Sequence, residues 1–312
     1  MLGRRLILLP GVLLATNALA FAFVYLARSA QSFRNPFFAG HDPEAPGLQG
    51  YLEYLEHILR LDLGAMPAGH QPVVEVLKTA VVASFALLGI SLAIGLLAGL
   101  ALGMRAVRSD PPRVAGWLTW ISTVGLSSPA FFIGTLLILA VVVSYGGRGS
   151  ASSFLTVGGF GWDQHLILPV LTLALRPAAQ VGQTAAGHLA AELGQRHILT
   201  ARSLGVPARS LRWRHGLRTV AAPVILAAAG AIRMLCGELL VVEPLFDWPG
   251  LGRLLAQTLI PARLTSTAHS DLFLHPVILP TLLTLLAAVF FVLDLSTTVA
   301  VRILDPRTRD QA

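Results

Sequence analysis

Long apolar runs separated by short polar stretches recur six times along the chain. They fall at Leu6–Ala27, Thr79–Gly103, Trp117–Ser144, Leu166–Gly187, Thr219–Val242 and Pro276–Val301. At about 1.5 Å per residue, each run crosses a hydrocarbon layer about 30 Å thick as an α-helix. None shows the two-residue alternation of a membrane β-strand. The pattern predicts an all-α, polytopic membrane protein with six transmembrane helices. The first run contains Ala18-Leu19-Ala20, which resembles a leader-peptide cleavage site, but apolar sequence continues through Phe21 to Leu26, so an uncleaved spanning helix is expected. Between the first two runs, Leu48, Leu52, Leu55 and Leu59 recur at helical spacing with Glu53 and Glu56 beside them. That spacing predicts an amphipathic helix at the outer surface. Phe33, Asn35, Pro36 and Gly40 read as loop.

Composition narrows the class further. Apolar residues make up 54% of the 312 positions and charged residues 12%, against roughly 25% charged in an ordinary soluble domain. With a mean hydropathy of +0.70, a soluble enzyme is excluded. The single cysteine, Cys236, excludes a disulfide framework and a thiolate metal site.

The net charge of +7 raises the question of nucleic acid, which its placement answers. With the amino terminus inside, 14 of the 23 Lys and Arg fall in inner segments, in company with only four acids: Asp110, Glu192, Asp305 and Asp310. The outer segments hold seven basic residues against ten acids. The positive-inside rule then places both termini in the cytoplasm and accounts for the basic excess without a nucleic-acid partner. Trp117 and Trp120 read as interfacial anchors.

Four charges lie within the apolar runs: Arg176, Arg233, Glu238 and Asp294. Facing lipid, each would cost about 2.5–3.5 kcal/mol, so each is expected to face protein or a wet cavity. Glu238 and Asp294 are expected in structural pairing. Arg176 immediately precedes Pro177, whose ring disturbs the helix, and both are expected to line the translocation path, with Arg176 meeting an anionic group. Pro129, Pro169, Pro223 and Pro280 supply further candidate kinks.

The connection at 188–218, between the fourth and fifth runs, carries the densest punctuation. Gly205 suits the left-handed turn that closes a short helix, and Pro207 suits the first turn of the next. Two short helices joined at a hinge are expected to project from the inner face. Here Thr200, Ala201, Arg202 and Gly205, then Trp213, Arg214, His215, Leu217, Arg218, Pro223, Val224 and Ile225, resemble the permease subunits of binding-protein-dependent ABC importers for dipeptides, oligopeptides and nickel. A second match is Glu243, Phe246, Trp248, Pro249, Gly250, Leu251, Gly252 and Arg253, and a third is Leu304-Asp305-Pro306-Arg307. The chain departs from that pattern in lacking a Pro-Gly-Asp-Pro element after the first helix, in Leu199 and Leu204, in Arg176, and in an extension over 260–275.

The resemblance implies the type I ABC importer permease fold in a bacterial plasma (inner) membrane. It assigns ATPase coupling to Thr200, Ala201, Arg202, Gly205, Arg209, Arg214 and His215, and an outer gate loop to Glu243, Phe246, Trp248, Pro249, Gly250 and Gly252. It further implies three partners: a second homologous permease, cytoplasmic ABC ATPase subunits and an extracytoplasmic solute-binding protein. In the expected layout, residues 1–78 form the first helix and outer segment. Residues 79–303 form a five-helix core with a coupling segment at 188–218 and a gate loop at 243–275, and 304–312 form a cytoplasmic tail.

Other chemistry finds no support in the residues. No Gly-x-x-x-x-Gly-Lys-Ser/Thr loop occurs, so ATP is not bound here by that route. No His-Glu-x-x-His or Gly-x-Ser-x-Gly motif occurs, and His188, His197 and His215 read as interface or solvated residues, so neither catalysis, metal nor cofactor is expected. An ion-coupled secondary transporter remains the alternative, with Asp294 as its candidate carboxylate. In a membrane-embedded hydrolase, Ser84, Ser91 or Ser144 would need a histidine partner that the sequence does not place.

Overall fold

The computed structural model describes residues 2–34, 48–66, 71–109, 111–145, 156–260 and 272–304. In chain order these form α1 (Leu2–Arg34), α2 (Leu48–Leu59), α3 (Val73–Arg105), a hairpin of β1 (Val107–Ser109) and β2 (Pro112–Val114), α4 (Gly116–Ser127) and α5 (Ala130–Tyr145). They continue through α6 (Ile167–Leu193), α7 (Arg196–Ser203), α8 (Ala208–Ser210), α9 (Leu217–Leu245), α10 (Leu251–Leu259) and α11 (Ile278–Leu304). The chain divides into two compact units, one of Met1–Ser84 with Trp248–Val292 and one of Phe85–Asp247 with Leu293–Ala312.

Among the described residues, five helices are long and apolar enough to cross a membrane. The third apolar run, expected as one span, is a bent pair of helices, Gly116–Ser127 and Ala130–Ser144, set at 104° to each other; counted as one broken span, it brings the number to six. The cause is local. A residue before proline is pushed out of the helical region, and Ser128 is extended (ψ 125°), so α4 ends there and Pro129 opens α5. Pro177 and Pro223, by contrast, are carried inside α6 and α9.

In the unit containing Phe85–Asp247, α6 is the spine and packs against α4, α5 and α9. Glycines let α3 approach it closely. A Cβ on Gly95 would stand 2.9 Å from the Ala174 carbonyl oxygen, one on Gly99 2.6 Å from that of Ala178, and one on Gly103 2.5 Å from that of Gly182. Each glycine is four residues from the next, and so are Ala174, Ala178 and Gly182. Stripes of small residues at this spacing let membrane helices bring their backbones together for dispersion contact, since lipid supplies no hydrophobic drive between helices.

In the other unit, α2 docks through a face that periodicity alone does not reveal. Asn17 of α1, nearly fully buried, donates to Tyr54 at 3.3 Å and to Thr284 of α11 at 2.9 Å, and accepts from Tyr51 at 3.1 Å. Tyr54 also meets Thr281 at 3.1 Å, and Phe21 stacks near both tyrosines. Burial pushes the Tyr54 phenol above its ordinary pKa. The leucines Leu48, Leu52 and Leu59, which carry the helical periodicity, are exposed. Of the residues expected as loop, Phe33 lies inside α1, whereas Asn35, Pro36 and Gly40 are outside the described residues.

Candidate functional site

The 188–218 segment does form two short helices. Helix α7 closes on Gly205, whose φ of +84° is the left-handed conformation that favours glycine. Val206 N–H donates to the Ala201 carbonyl at 3.2 Å and Gly205 N–H to that of Arg202 at 3.0 Å. This pair of bonds is a Schellman cap, and it satisfies carbonyls that a helix end leaves open. From Pro207 the chain enters α8 and then a wider π turn, Leu211–Gly216, that runs directly into α9.

One face of this segment is anchored and the other is not. Ile198 and Leu211 are buried in a cluster with Met104, Val107, Leu189, Leu193 and Val220, and Ala201 and Val206 pack against it. Arg212 ties the segment to the hairpin by donating to the Val107 carbonyl at 2.7 Å. Outward lie Thr200, Arg209 and the apolar Leu199 and Leu204, the last 79% exposed, with Arg202 half-buried. Thr200 donates to the Arg196 carbonyl at 3.1 Å. The side chains of Arg214 and His215 lie outside the described residues. His197, 65% exposed, meets Glu192 at 3.0 Å.

The second motif, 243–253, is held by different neighbours in its two halves. Glu243 is fully buried near the end of α9. Phe246 is buried too, and its carbonyl accepts from Gly159 N–H at 3.1 Å. Close by in sequence to Gly159, Asp163 accepts from the His165 ring at 2.6 Å, which holds its carboxyl below the ordinary aspartate range. In the other half, Trp248 is fully buried. Its indole N–H donates to the Ala83 carbonyl at 3.1 Å, and Leu251 N–H donates to the Ser84 hydroxyl at 2.9 Å. The residue with positive φ in this turn is Asp247, at 55°. Beyond Pro249 the expected loop becomes helix α10; residues 261–271 of the extension are outside the described set. Trp248→Phe keeps an aromatic ring at the site and removes the donor, so it is expected to lower stability by about 1 kcal/mol or more. A thermal midpoint in detergent equal to that of the unmodified protein would show that the Ala83 bond does not hold the turn.

The four charges in the apolar runs form two pairs. Arg176 Nη1 donates to Glu238 Oε1 at 2.5 Å and Nη2 to the Leu126 carbonyl at 2.9 Å. Leu126 lies in the last turn of α4, where a break within the membrane leaves carbonyls that lipid cannot satisfy, so Arg176 caps α4 as well as neutralising Glu238. Pro177 is buried, and its Cβ is 2.8 Å from where a Cβ on Gly95 would stand. Arg233 Nε donates to Asp294 at 2.8 Å and Nη2 to Thr297 at 3.1 Å. Cys236 is buried. No group of three or more potential metal ligands occurs among the described residues.

Comparison with known proteins settles the family. Residues 91–310 match the family of the binding-protein-dependent transport system inner membrane component. This chain belongs to that family. The oligopeptide transport system permease protein of Bacillus subtilis is 27% identical over 320 residues, 97% of each chain. The glutathione transport system permease proteins of Salmonella choleraesuis and Pectobacterium atrosepticum are 32% and 33% identical over 210 residues. Those matches cover 67% of this chain and 66% of the relative, just under two thirds of the relatives' own length.

By that family, the chain is an inner membrane component of a transport system. The matched span contains both motifs and both charge pairs. It omits α1, α2 and the first half of α3.

Proposed function

We propose that this chain is the membrane-spanning permease subunit of an ATP-driven importer of di- and oligopeptides in a bacterial plasma membrane, with both termini cytoplasmic. It forms half of the translocation pathway beside a second, homologous permease. ABC ATPase subunits grip the α7–α8 segment from the cytoplasm, and an external solute-binding protein docks over the Trp248–Gly252 turn. The observation that carries this reading is the Schellman-closed helix pair, anchored on one face and presenting Leu199, Thr200, Leu204 and Arg209 on the other. An apolar and basic outward face of this kind suits a protein groove better than water. The peptide cargo is supported by the glutathione and oligopeptide relatives.

Closure of the ATPases on nucleotide moves α7 and α8, and continuity through the π turn passes that displacement to α9, giving two alternating states. The half-exposed Arg233–Asp294 pair belongs to the wall of the path, because a charge pair set against acyl chains would be too costly. Arg176 stands on the path side of α6, with Pro177 shaping the helix beneath it. The ion-coupled alternative asks for a carboxylate free to exchange protons or cations. Asp294 is instead bonded to a guanidinium, so that reading draws no support from it.

Cysteine introduced at Leu204 in the assembled complex is expected to crosslink to an ATPase subunit, with a yield that changes between nucleotide-free and ATP-bound states. Crosslinking to nothing but lipid-reactive probe in every state would overturn the coupling assignment. Cysteine at the exposed Asp247, beside the buried Gly250, serves the same purpose for the external binding protein.

A further inference from the structure

A cavity of about 690 Å³ lies between the first turns of α3 and helix α10. Its volume is in the range that holds a small organic solute. One wall comes from Pro72, just ahead of α3, and from Glu75, Val76 and Thr79 on one face of its first turns. The facing wall comes from α10, where Arg253 and Gln257, four residues apart, share a face. Pro249 and Gly250 complete the lining, on a turn that the Trp248 and Leu251 hydrogen bonds fix to α3. The lining therefore brings together a carboxylate from α3, a guanidinium from α10, and apolar surface from Val76 and Leu254.

We infer that this cavity is a receiving site for a short peptide with free termini, taken up before the peptide enters the membrane path. Glu75 is matched to the terminal ammonium and Arg253 to the terminal carboxylate. The guanidinium carries five N–H donors, enough to serve a carboxylate alongside another contact. The Gln71 and Gln257 amides, each both donor and acceptor, suit peptide N–H and C=O groups between the charged ends. A solute lacking either charge would forgo one of these two charged contacts. The inference rests on the importer reading above, with the Val73 end of α3 outside. It adds the site of entry and the requirement for both charged ends.

The test uses the assembled transporter in proteoliposomes, with Cys236→Ala and a single cysteine at Gln257, labelled from outside by a membrane-impermeant maleimide. Trialanine at millimolar concentration is expected to slow labelling at least threefold, while N-acetyl-trialanine amide leaves it unchanged. With Arg253→Gln, trialanine and its C-terminal amide are expected to protect equally. With Glu75→Gln, trialanine and its N-acetyl form are expected to protect equally. Residual protection by the singly capped peptides shows that the cavity is still formed in these variants, and a second reporter cysteine at Gln71 reads the opposite wall. Absence of protection by trialanine at both reporters, or equal protection by free and doubly capped peptide, overturns the inference whatever the complex imports. Protection with the expected end-group dependence, in a complex that imports no peptide, upholds the site and overturns the importer reading instead.

Discussion

Glu238→Ala, with Arg176 left in place, is expected to remove most of the folded protein from the membrane. The two side chains are 13% and 27% exposed, so the guanidinium left behind is largely desolvated. Breaking such a pair by deleting one partner costs about 3–5 kcal/mol, most of it from the stranded charge. Two further features make the position sensitive. Arg176 Nε and Glu238 Oε2 are already buried without a hydrogen-bond partner. Arg176 also holds the open end of α4, so any shift of the guanidinium reaches the broken span. The double variant Arg176→Gln with Glu238→Gln removes both charges and keeps hydrogen-bonding groups at both positions, and it is expected to recover much of the loss. Folded yield after detergent extraction, compared across the two singles and the double, reads the coupling. Additive losses would show that the two residues do not act as a pair.

The second large effect is expected at Gly99. In an isolated helix, alanine is preferred to glycine by about 1 kcal/mol. Here a Cβ would meet the Ala178 carbonyl oxygen at 2.6 Å and the Ala178 Cα and Val181 Cβ at 3.0 Å, and backbone atoms cannot rotate out of the way. Overpacking of this kind costs about 1–3 kcal/mol for a methyl-sized group and more for a larger one. Gly99→Ala is therefore expected to destabilise despite its better propensity, and Gly99→Leu to separate α3 from α6 and abolish accumulation. Gly89 lies in the same helix with nothing within 4 Å of where a Cβ would stand, so Gly89→Ala is the control, expected to be neutral or slightly stabilising. Equal thermal midpoints for Gly89→Ala and Gly99→Ala would remove the close approach as a determinant.

How much of the molecule was legible in the sequence depended on whether a property was local. The long apolar helices and the Gly205 hinge are written in a few adjacent residues: unbroken hydropathy for the first, and a glycine just ahead of Pro207 for the second. The break at Ser128 was legible too, in the serine before Pro129, but apolar residues on both sides hid a 104° turn behind uniform hydropathy. Contacts between distant segments were not legible. Leucine periodicity marks one face of α2, yet Asn17, 37 residues before Tyr54, draws in the tyrosine face instead. Nothing near Trp248 indicates that Ala83 and Ser84, 165 residues upstream of Trp248 and 167 upstream of Leu251, bury the turn. The ion pairs lie between these extremes. Four charges in apolar runs demand partners on cost alone, but which acid meets which arginine is decided by helix packing.

The π turn at Leu211–Gly216 has a mechanical consequence. It joins α8 to α9 without a gap, so Leu211–Leu245 is a single arm of 35 residues. At about 1.5 Å per residue that arm is roughly 50 Å long, and a tilt of about 5° about its base swings the far tip by roughly 4 Å. Rotation about the Leu211 end would reach Leu245 as travel in proportion to that length.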